Sequence, residues 1–164
     1  HEHQRMVFSI ALNFFHNPAI AEEVAQEVFM QLYENCRKVA TGSHCVAWLR
    51  RSTAHRCIDT MRRASFRQEI QVETLPELPI NAPETDPFLQ EGLRRLIATL
   101  PEKPRAVLIL RFGEGMEVED IGRSLEMPVG TVKSNLHRGV AMIREKAARY
   151  LKEHENEPTR TRSS

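Results

Sequence analysis

Six arginines stand within residues 47–67, "AWLRRSTAHRCIDTMRRASFR", accompanied by one aspartate and no glutamate. The whole chain carries a formal charge of only +1, so this accumulation is local. Arg50, Arg51, Arg56, Arg62, Arg63 and Arg67 offer planar, permanently charged forks that match phosphate oxygens. Neutralising nucleic-acid phosphates releases their counterions, which gives salt-sensitive and sequence-blind affinity. A second stretch points to the same chemistry: "VEDIGRSLEMPVGTVKSNLHRGVAMIREKAARYL", residues 118–151. Ile121 and Leu125 mark a short helix, and Gly122 is the small residue that lets a second helix cross closely. "EMPVG" makes a tight turn, with Pro128 at the first position of the next helix. Val129, Val132, Leu136, Val140, Ile143 and Ala147 form the inner stripe of that long helix. Its outward face shows Thr131, Ser134, Asn135, His137 and Arg138, with Lys133 at the flank. Short donors, an amide and cations at a helix N-terminus are what a DNA major groove needs for phosphates and base edges. The whole is a helix-turn-helix pattern.

Other chemistries find less support. His44, Cys45, His55 and Cys57 lack a zinc spacing, and one helix does not gather four ligands in this way, so no metal is expected. There is no Gly-rich phosphate loop, paired-carboxylate site or nucleophile–base motif, so neither an enzyme nor a cofactor is expected. Trp48 is able to stack on a base, but core packing is the commoner role of such a residue.

The elements that must position these residues are helical. Residues 20–36, "IAEEVAQEVFMQLYENC", carry Ile20, Val24, Val28, Leu32 and Cys36 every four residues, with Phe29 beside them. Glu22, Glu23, Gln26, Glu27 and Met30 face the other way. "HNPA" breaks the chain before this helix, since Pro18 suits an early helical position and not an interior one. Met6 to Phe15 is an earlier amphipathic stretch. Thr41, Gly42 and Ser43 mark a loop. The arginine-rich stretch then buries Val46, Leu49, Thr53, Cys57 and Met61. Residues 1–67 therefore read as a bundle of about three helices. Residues 68–91 change character: Glu69, Glu73, Glu77, Glu84, Asp86 and Glu91 meet no Lys or Arg, and Pro76, Pro79, Pro83 and Pro87 forbid a long helix. This stretch reads as a flexible acidic linker with a reach of at most ~80 Å. From Gly92 the helical pattern resumes, with Leu93, Leu96, Ile97 and Leu100 in one stripe and Val107, Leu108, Leu110 and Phe112 in another. Residues 92–151 form the second unit, and 152–164 are expected to be a disordered tail. The fold class is all-α, two small helical domains joined by the linker.

With 41% hydrophobic and 27% charged residues in 164, the chain has the composition of a folded, water-soluble protein. No apolar run approaches the ~18 residues of a membrane span, and the opening residues do not read as a signal peptide. Three cysteines, Cys36, Cys45 and Cys57, without a CxxC spacing suit a reducing cytoplasm. The first residue is His1 and not Met, so the native chain is expected to extend before it.

Three stretches together resemble one family, the group IV or extracytoplasmic-function (ECF) sigma factors of bacterial RNA polymerase. "AIAEEVAQEVFMQLYENC" resembles that family's core-binding helix in region two. "AWLRRSTAHRCIDTMRR" resembles its promoter-melting helix. "LPEKPRAVLILRFGEGMEVEDIGRSLEMPVGTVKSNLHRG" resembles region four. They occur in the family's order, with a linker between them, and cover most of residues 5–150. The resemblance implies a non-enzymatic promoter-specificity subunit. Glu22, Glu23, Gln26, Glu27 and Met30 would contact core RNA polymerase. Arg50, Arg51, His55, Arg56, Arg62, Arg63 and Arg67 would lie along the minus-ten element, with Thr41 and Ser43 in the loop 37–44, into which one non-template base is flipped. Thr131, Lys133, Ser134, Asn135, His137 and Arg138 would read the minus-thirty-five element. The resemblance also implies an anti-sigma partner.

Four departures from the family pattern bear on the promoter sequence and not on the class. Glu126 stands where the turn glycine is usual, which predicts a rearranged turn. His55 replaces an Asn, Asn135 replaces an Arg, and Ser52 and Thr53 replace apolar residues. The alternative reading is a LuxR-type helix-turn-helix regulator, whose recognition helix also carries "GTVK". Such a regulator would need an α/β receiver or sensor domain, and no sequence here reads as one.

Overall fold

The chain begins with two helices set off by a capped break. In the computed structural model, which describes residues 1–38, 42–66 and 87–155, α1 covers Glu2–Phe15. His16 ends it in the left-handed conformation, φ 49°, with its N–H donating to the Leu12 carbonyl. Asn17 opens α2 (Pro18–Asn35), its Oδ1 accepting from the Ala19 and Ile20 N–H groups at 3.0 and 3.4 Å. That satisfies two of the donors every helix start leaves bare, and Pro18 in the first turn needs no partner for an N–H it lacks. α3 (Ser43–Phe66) carries the arginines. The inner faces meet through Val7, Ile10, Ala11 and Phe14 of α1, Ala21, Val24 and Val28 of α2, and Leu49, Ala54 and Cys57 of α3. Thr53 is buried among them without penalty, because its hydroxyl donates to the Leu49 carbonyl at 2.6 Å. The stripe of α2 fades at its C-terminal end, where Cys36 is exposed.

The second half contains α4 (Pro87–Ala98), α5 (Glu102–Leu108) running on into a π-helical turn (Ile109–Gly113), α6 (Val118–Leu125) and α7 (Val129–Glu155). All described elements are helical, as an all-α fold requires. α4 starts at Pro87 and not at Gly92, because proline is tolerated in a first helical turn. The rest of the acidic linker, together with Thr41 and Arg67, lies outside the described residues. α7 runs through Lys152 to Glu155, four residues into the stretch expected to be disordered; residues 156–164 lie outside the described ones. The π-turn explains another difference. An extra residue in the turn shifts the helical register, so Leu108, Ile109 and Leu110 are buried while Phe112, placed in that stripe by the sequence, is 70% exposed.

The helix-turn-helix crossing depends on Gly122. A Cβ there would lie 2.8 Å from the Met127 carbonyl oxygen, so glycine admits the backbone of the turn itself, which folds back to give a Met127 N–H to Gly122 carbonyl bond of 2.9 Å. The turn is not rearranged by Glu126. That residue takes the left-handed conformation in glycine's place, with φ 55°, at a backbone cost of ~1–2 kcal/mol. α7 begins at Val129, with Pro128 just ahead of it accepting the Val132 N–H at 3.0 Å.

The two halves share one apolar cluster. Ala106, Val107, Ile109, Leu110 and Ile121 join Val7, Ile10, Phe14, Leu49 and Cys57 in it. Arg105 fastens the seam. It is 8% exposed and donates to the Leu100 carbonyl in its own half and to the Phe14 carbonyl in the other. Burial pulls its guanidinium down to about 10, still charged at neutral pH. Burial pushes the neighbouring Cys57 thiol far up, so it stays a neutral core group.

Candidate nucleic-acid interface

α3 holds its cations on one face because Leu49, Thr53, Ala54 and Cys57 are turned into the core. The second half packs across that face. Arg50 Nε lies 3.4 Å from Glu114 Oε2, in the loop after the π-turn. Arg51 meets Glu126 at 2.7 Å, at the helix-turn-helix corner. His55 Nε2 is 2.8 Å from the Ser124 carbonyl oxygen, in the last turn of α6. Arg62 forks onto Glu102 at the start of α5, with Nε 3.0 and 3.1 Å from its two oxygens. Arg56 instead turns toward α2 and pairs with Glu27. Arg63 and Ser43 are exposed. The sequence did not foresee that Glu102, Glu114 and Glu126 would be brought to the arginines, since they lie 40, 64 and 75 residues from their partners. Only the sign excess of the 47–67 stretch hinted that compensating charge had to come from elsewhere.

These pairs differ in energetic weight. The Arg51 and Glu126 side chains are 48% and 70% exposed, a setting in which an ion pair contributes ~0–1 kcal/mol. Glu114 is the most enclosed of the carboxylates. Burial raises its pKa, and the opposing pull of Arg50 does not cancel that rise. The stability of the seam therefore resides mainly in the shared apolar cluster and Arg105, while the ion pairs set the charge that the α3 face displays.

Trp48, Arg51, Ser52, His55, Arg56 and Asp59 line a polar recess of about 340 Å³ with Gln31 of α2. Trp48 is half-buried against the core and lines that recess. A larger groove of about 700 Å³ runs between α1 and α2, floored by Phe8, Ala25 and Phe29 and rimmed by Gln4, Glu22, Gln26 and Glu34. Met30 and Tyr33, 65% and 83% exposed, stand beside it. Glu23 is also exposed on α2, whereas Glu27 is engaged by Arg56, so Glu27 is not an open surface charge.

On α7, Thr131, Lys133, Ser134, His137 and Arg138 are exposed together on the first turns after the corner. Asn135 differs from its expected outward placement. It is 6% exposed, and its amide donates to the Thr131 carbonyl at 2.8 Å and toward Met127 Sδ at 3.8 Å. It falls three residues after Val132 and so shares the inner face. Its amide thus links the backbone of α7 to Met127 of the turn.

Among the described residues, no group of three or more His, Cys, Asp or Glu stands where it could hold a metal ion, and no helix is long and apolar enough to cross a membrane.

Comparison with known proteins divides the chain at the same place. Residues 1–67 match the family described as Sigma-70 region 2, and residues 90–143 match Sigma-70, region 4. The chain is 30% identical over 165 residues to the ECF RNA polymerase sigma factor SigE of Mycolicibacterium smegmatis, which covers 95% of this chain and 61% of that one. It is 30% identical over 129 residues to the RNA polymerase sigma-E factor of Streptomyces coelicolor, 79% of this chain and 72% of that one. Among solved structures, the sigma factor RpoE in complex with the anti-sigma factor NepR from Bartonella quintana has the same fold, with a TM-score of 0.69 at 19% identity over 90% of this chain and 92% of that one.

Proposed function

Because the chain belongs to the ECF RNA polymerase sigma factors, we propose that it is a promoter-specificity subunit that binds core RNA polymerase and directs it to promoters. It acts in the cytoplasm, where polymerase and DNA are, and performs no catalysis of its own. The observation that carries this reading is the presence, on one chain, of an arginine-faced helix and a separate helix-turn-helix whose first recognition turns are polar and exposed.

The division of labour follows from the chemistry. Arg50, Arg51, Arg56, Arg62 and Arg63 bind phosphates at the minus-ten element, and the polar recess beside Trp48 and His55 receives an unpaired base. Thr131, Lys133, Ser134, His137 and Arg138 enter the major groove at the minus-thirty-five element. The apolar groove of α1 and α2, with its acidic rim and Met30, seats a basic or mixed-charge helical surface of the polymerase, since methionine adapts to an irregular partner. An anti-sigma protein is the expected regulator. The sigma reading is favoured over the LuxR-type alternative because the three-helix bundle ahead of the helix-turn-helix matches Sigma-70 region 2. Run-off transcription with core polymerase on a library of genomic promoters tests the proposal. Discrete start sites that appear only when the chain is added are expected, and none appearing would overturn it.

A further inference from the structure

The α3 arginines are the groups on which phosphate binding depends, yet in the folded chain several already have anionic or carbonyl partners from the other half. Arg50, Arg51 and Arg62 meet Glu114, Glu126 and Glu102, and His55 meets the Ser124 carbonyl. These four contacts come from three separate elements of the second half: the start of α5, the loop after the π-turn, and the end of α6 with its corner. They follow α3 from Arg50 to Arg62, about three turns of helix. We propose that the second half is an intramolecular phosphate mimic: its carboxylates take the places of DNA phosphates on α3 and hold the minus-ten face covered until the halves separate. This rests on the reading of α3 as the minus-ten helix.

Glu126 is the most telling member of the set. A left-handed corner favours glycine, and φ 55° is strained for a glutamate. The side chain placed there reaches Arg51 across the seam at 2.7 Å. A glycine would relieve the backbone and leave Arg51 without this carboxylate, so the strained choice gains a charge contact with the other half. The recognition turns of α7 lie outside this arrangement. Lys133, His137 and Arg138 remain exposed. The closed chain therefore displays one DNA-reading face and occupies the other. Because the Arg51–Glu126 and Arg62–Glu102 pairs reach solvent, phosphates compete for the same guanidinium groups as soon as polymerase binding or high local DNA charge draws the halves apart. The device suppresses minus-ten binding by the unassembled subunit without a second protein.

The test uses the full chain with Glu102→Gln and Glu126→Gln together, which removes charge at near-constant volume. Glu119→Gln with Glu153→Gln, both exposed positions outside the ion pairs that α3 makes, makes the same change in net charge elsewhere. Binding to a promoter fragment is measured without polymerase over a range of salt. If the binding-competent form is a minor one, the first variant gains affinity on the order of tenfold. Its plot of log K against log salt steepens by about two units, since two arginines now release counterions from phosphate. The control variant should change neither the slope nor, beyond a small general gain, the affinity. A parallel reading needs no DNA: labelling by an arginine-selective dicarbonyl reagent, followed by mass spectrometry. Arg51 and Arg62 should label more slowly than Arg138 in the wild type and speed up in the first variant. Equal labelling rates in both proteins, or an unchanged salt slope, would overturn the mimic. Labelling as expected in a chain that neither binds promoters nor supports transcription would leave the mimic standing and remove the functional reading instead.

Discussion

Two helices of this chain carry the cations that we assign to nucleic acid, and they present them differently. α3 carries Arg50, Arg51 and Arg62 under carboxylates from the other half, with Arg56 drawn to Glu27 on its own side. α7 carries Lys133, His137 and Arg138 in the open. The cause is packing. The inner faces of α5 and α6 share an apolar cluster with α1 and α3, so their loops and termini fall over the arginine face, while α7 turns Val132 into that cluster and leaves its polar residues exposed. Charge content alone does not report readiness to bind DNA; which face the apolar seam leaves open decides it.

The strongest way to break this contrast is to cut the seam. Arg105→Ala strips donors from the Leu100 and Phe14 carbonyls and leaves a void where a buried guanidinium stood. We expect a loss of ~2–4 kcal/mol in denaturant unfolding, with α3 becoming as open as α7. A loss under ~0.5 kcal/mol would show that Arg105 does not fasten the halves.

Gly122→Ala attacks the corner from inside. Its new methyl group would meet the Met127 carbonyl oxygen at 2.8 Å, which must move, along with Glu126 beside it. We expect ~1–3 kcal/mol of destabilisation by the same assay, and weaker minus-thirty-five binding. A thermal midpoint equal to that of the wild type would mean that the turn has room to spare.

Asn135→Ala sharpens the α7 side of the comparison. With its amide buried and bonded to the Thr131 carbonyl, the substitution should cost ~1 kcal/mol of stability. Binding-site selection should return an unchanged base preference, whereas exposed Arg138→Ala should weaken DNA binding with stability altered by no more than ~0.5 kcal/mol. A changed base preference for Asn135→Ala would return that residue to the reading face.

Glu114 gives the smallest effect and a pH signature. Burial raises its folded-state pKa above the ordinary value of 4.5, despite Arg50. A raised folded pKa contributes stability that is full below the unfolded value and lost as pH rises through the folded one. Glu114→Gln should remove that loss. Its stability relative to wild type should be higher at neutral pH than near pH 4 in thermal unfolding at the two values. A wild-type advantage that grows toward neutrality would show that the Arg50 pair outweighs burial.

Much of this architecture was legible because local signals were strong. The Asn17–Pro18 break, the four-residue stripe of Val24 and Val28, and the "EMPVG" corner each carry a physical reason that acts within a few residues. The helix-turn-helix and the α3 arginine face followed directly. Register and long-range pairing were hidden. A π-turn at Ile109–Gly113 has no short motif, so Phe112 was placed inside. Asn135 read as outward because its type suits base contact, although its position three residues after Val132 puts it on the inner face. The start of α4 at Pro87 was obscured by prolines that also fit a linker. The carboxylates over α3 come from residues far along the chain, and no periodicity reports which distant face will cover which.

The central claim is that α3 supplies phosphate contacts in promoter complexes. Its most direct test is the salt dependence of promoter binding by the chain assembled with core RNA polymerase, compared between the wild type and Arg62→Ala with Arg63→Ala. The account predicts a slope of log K against log salt shallower by about one or two units in the variant, with weaker binding at every salt concentration. Identical slopes for the two proteins would contradict it.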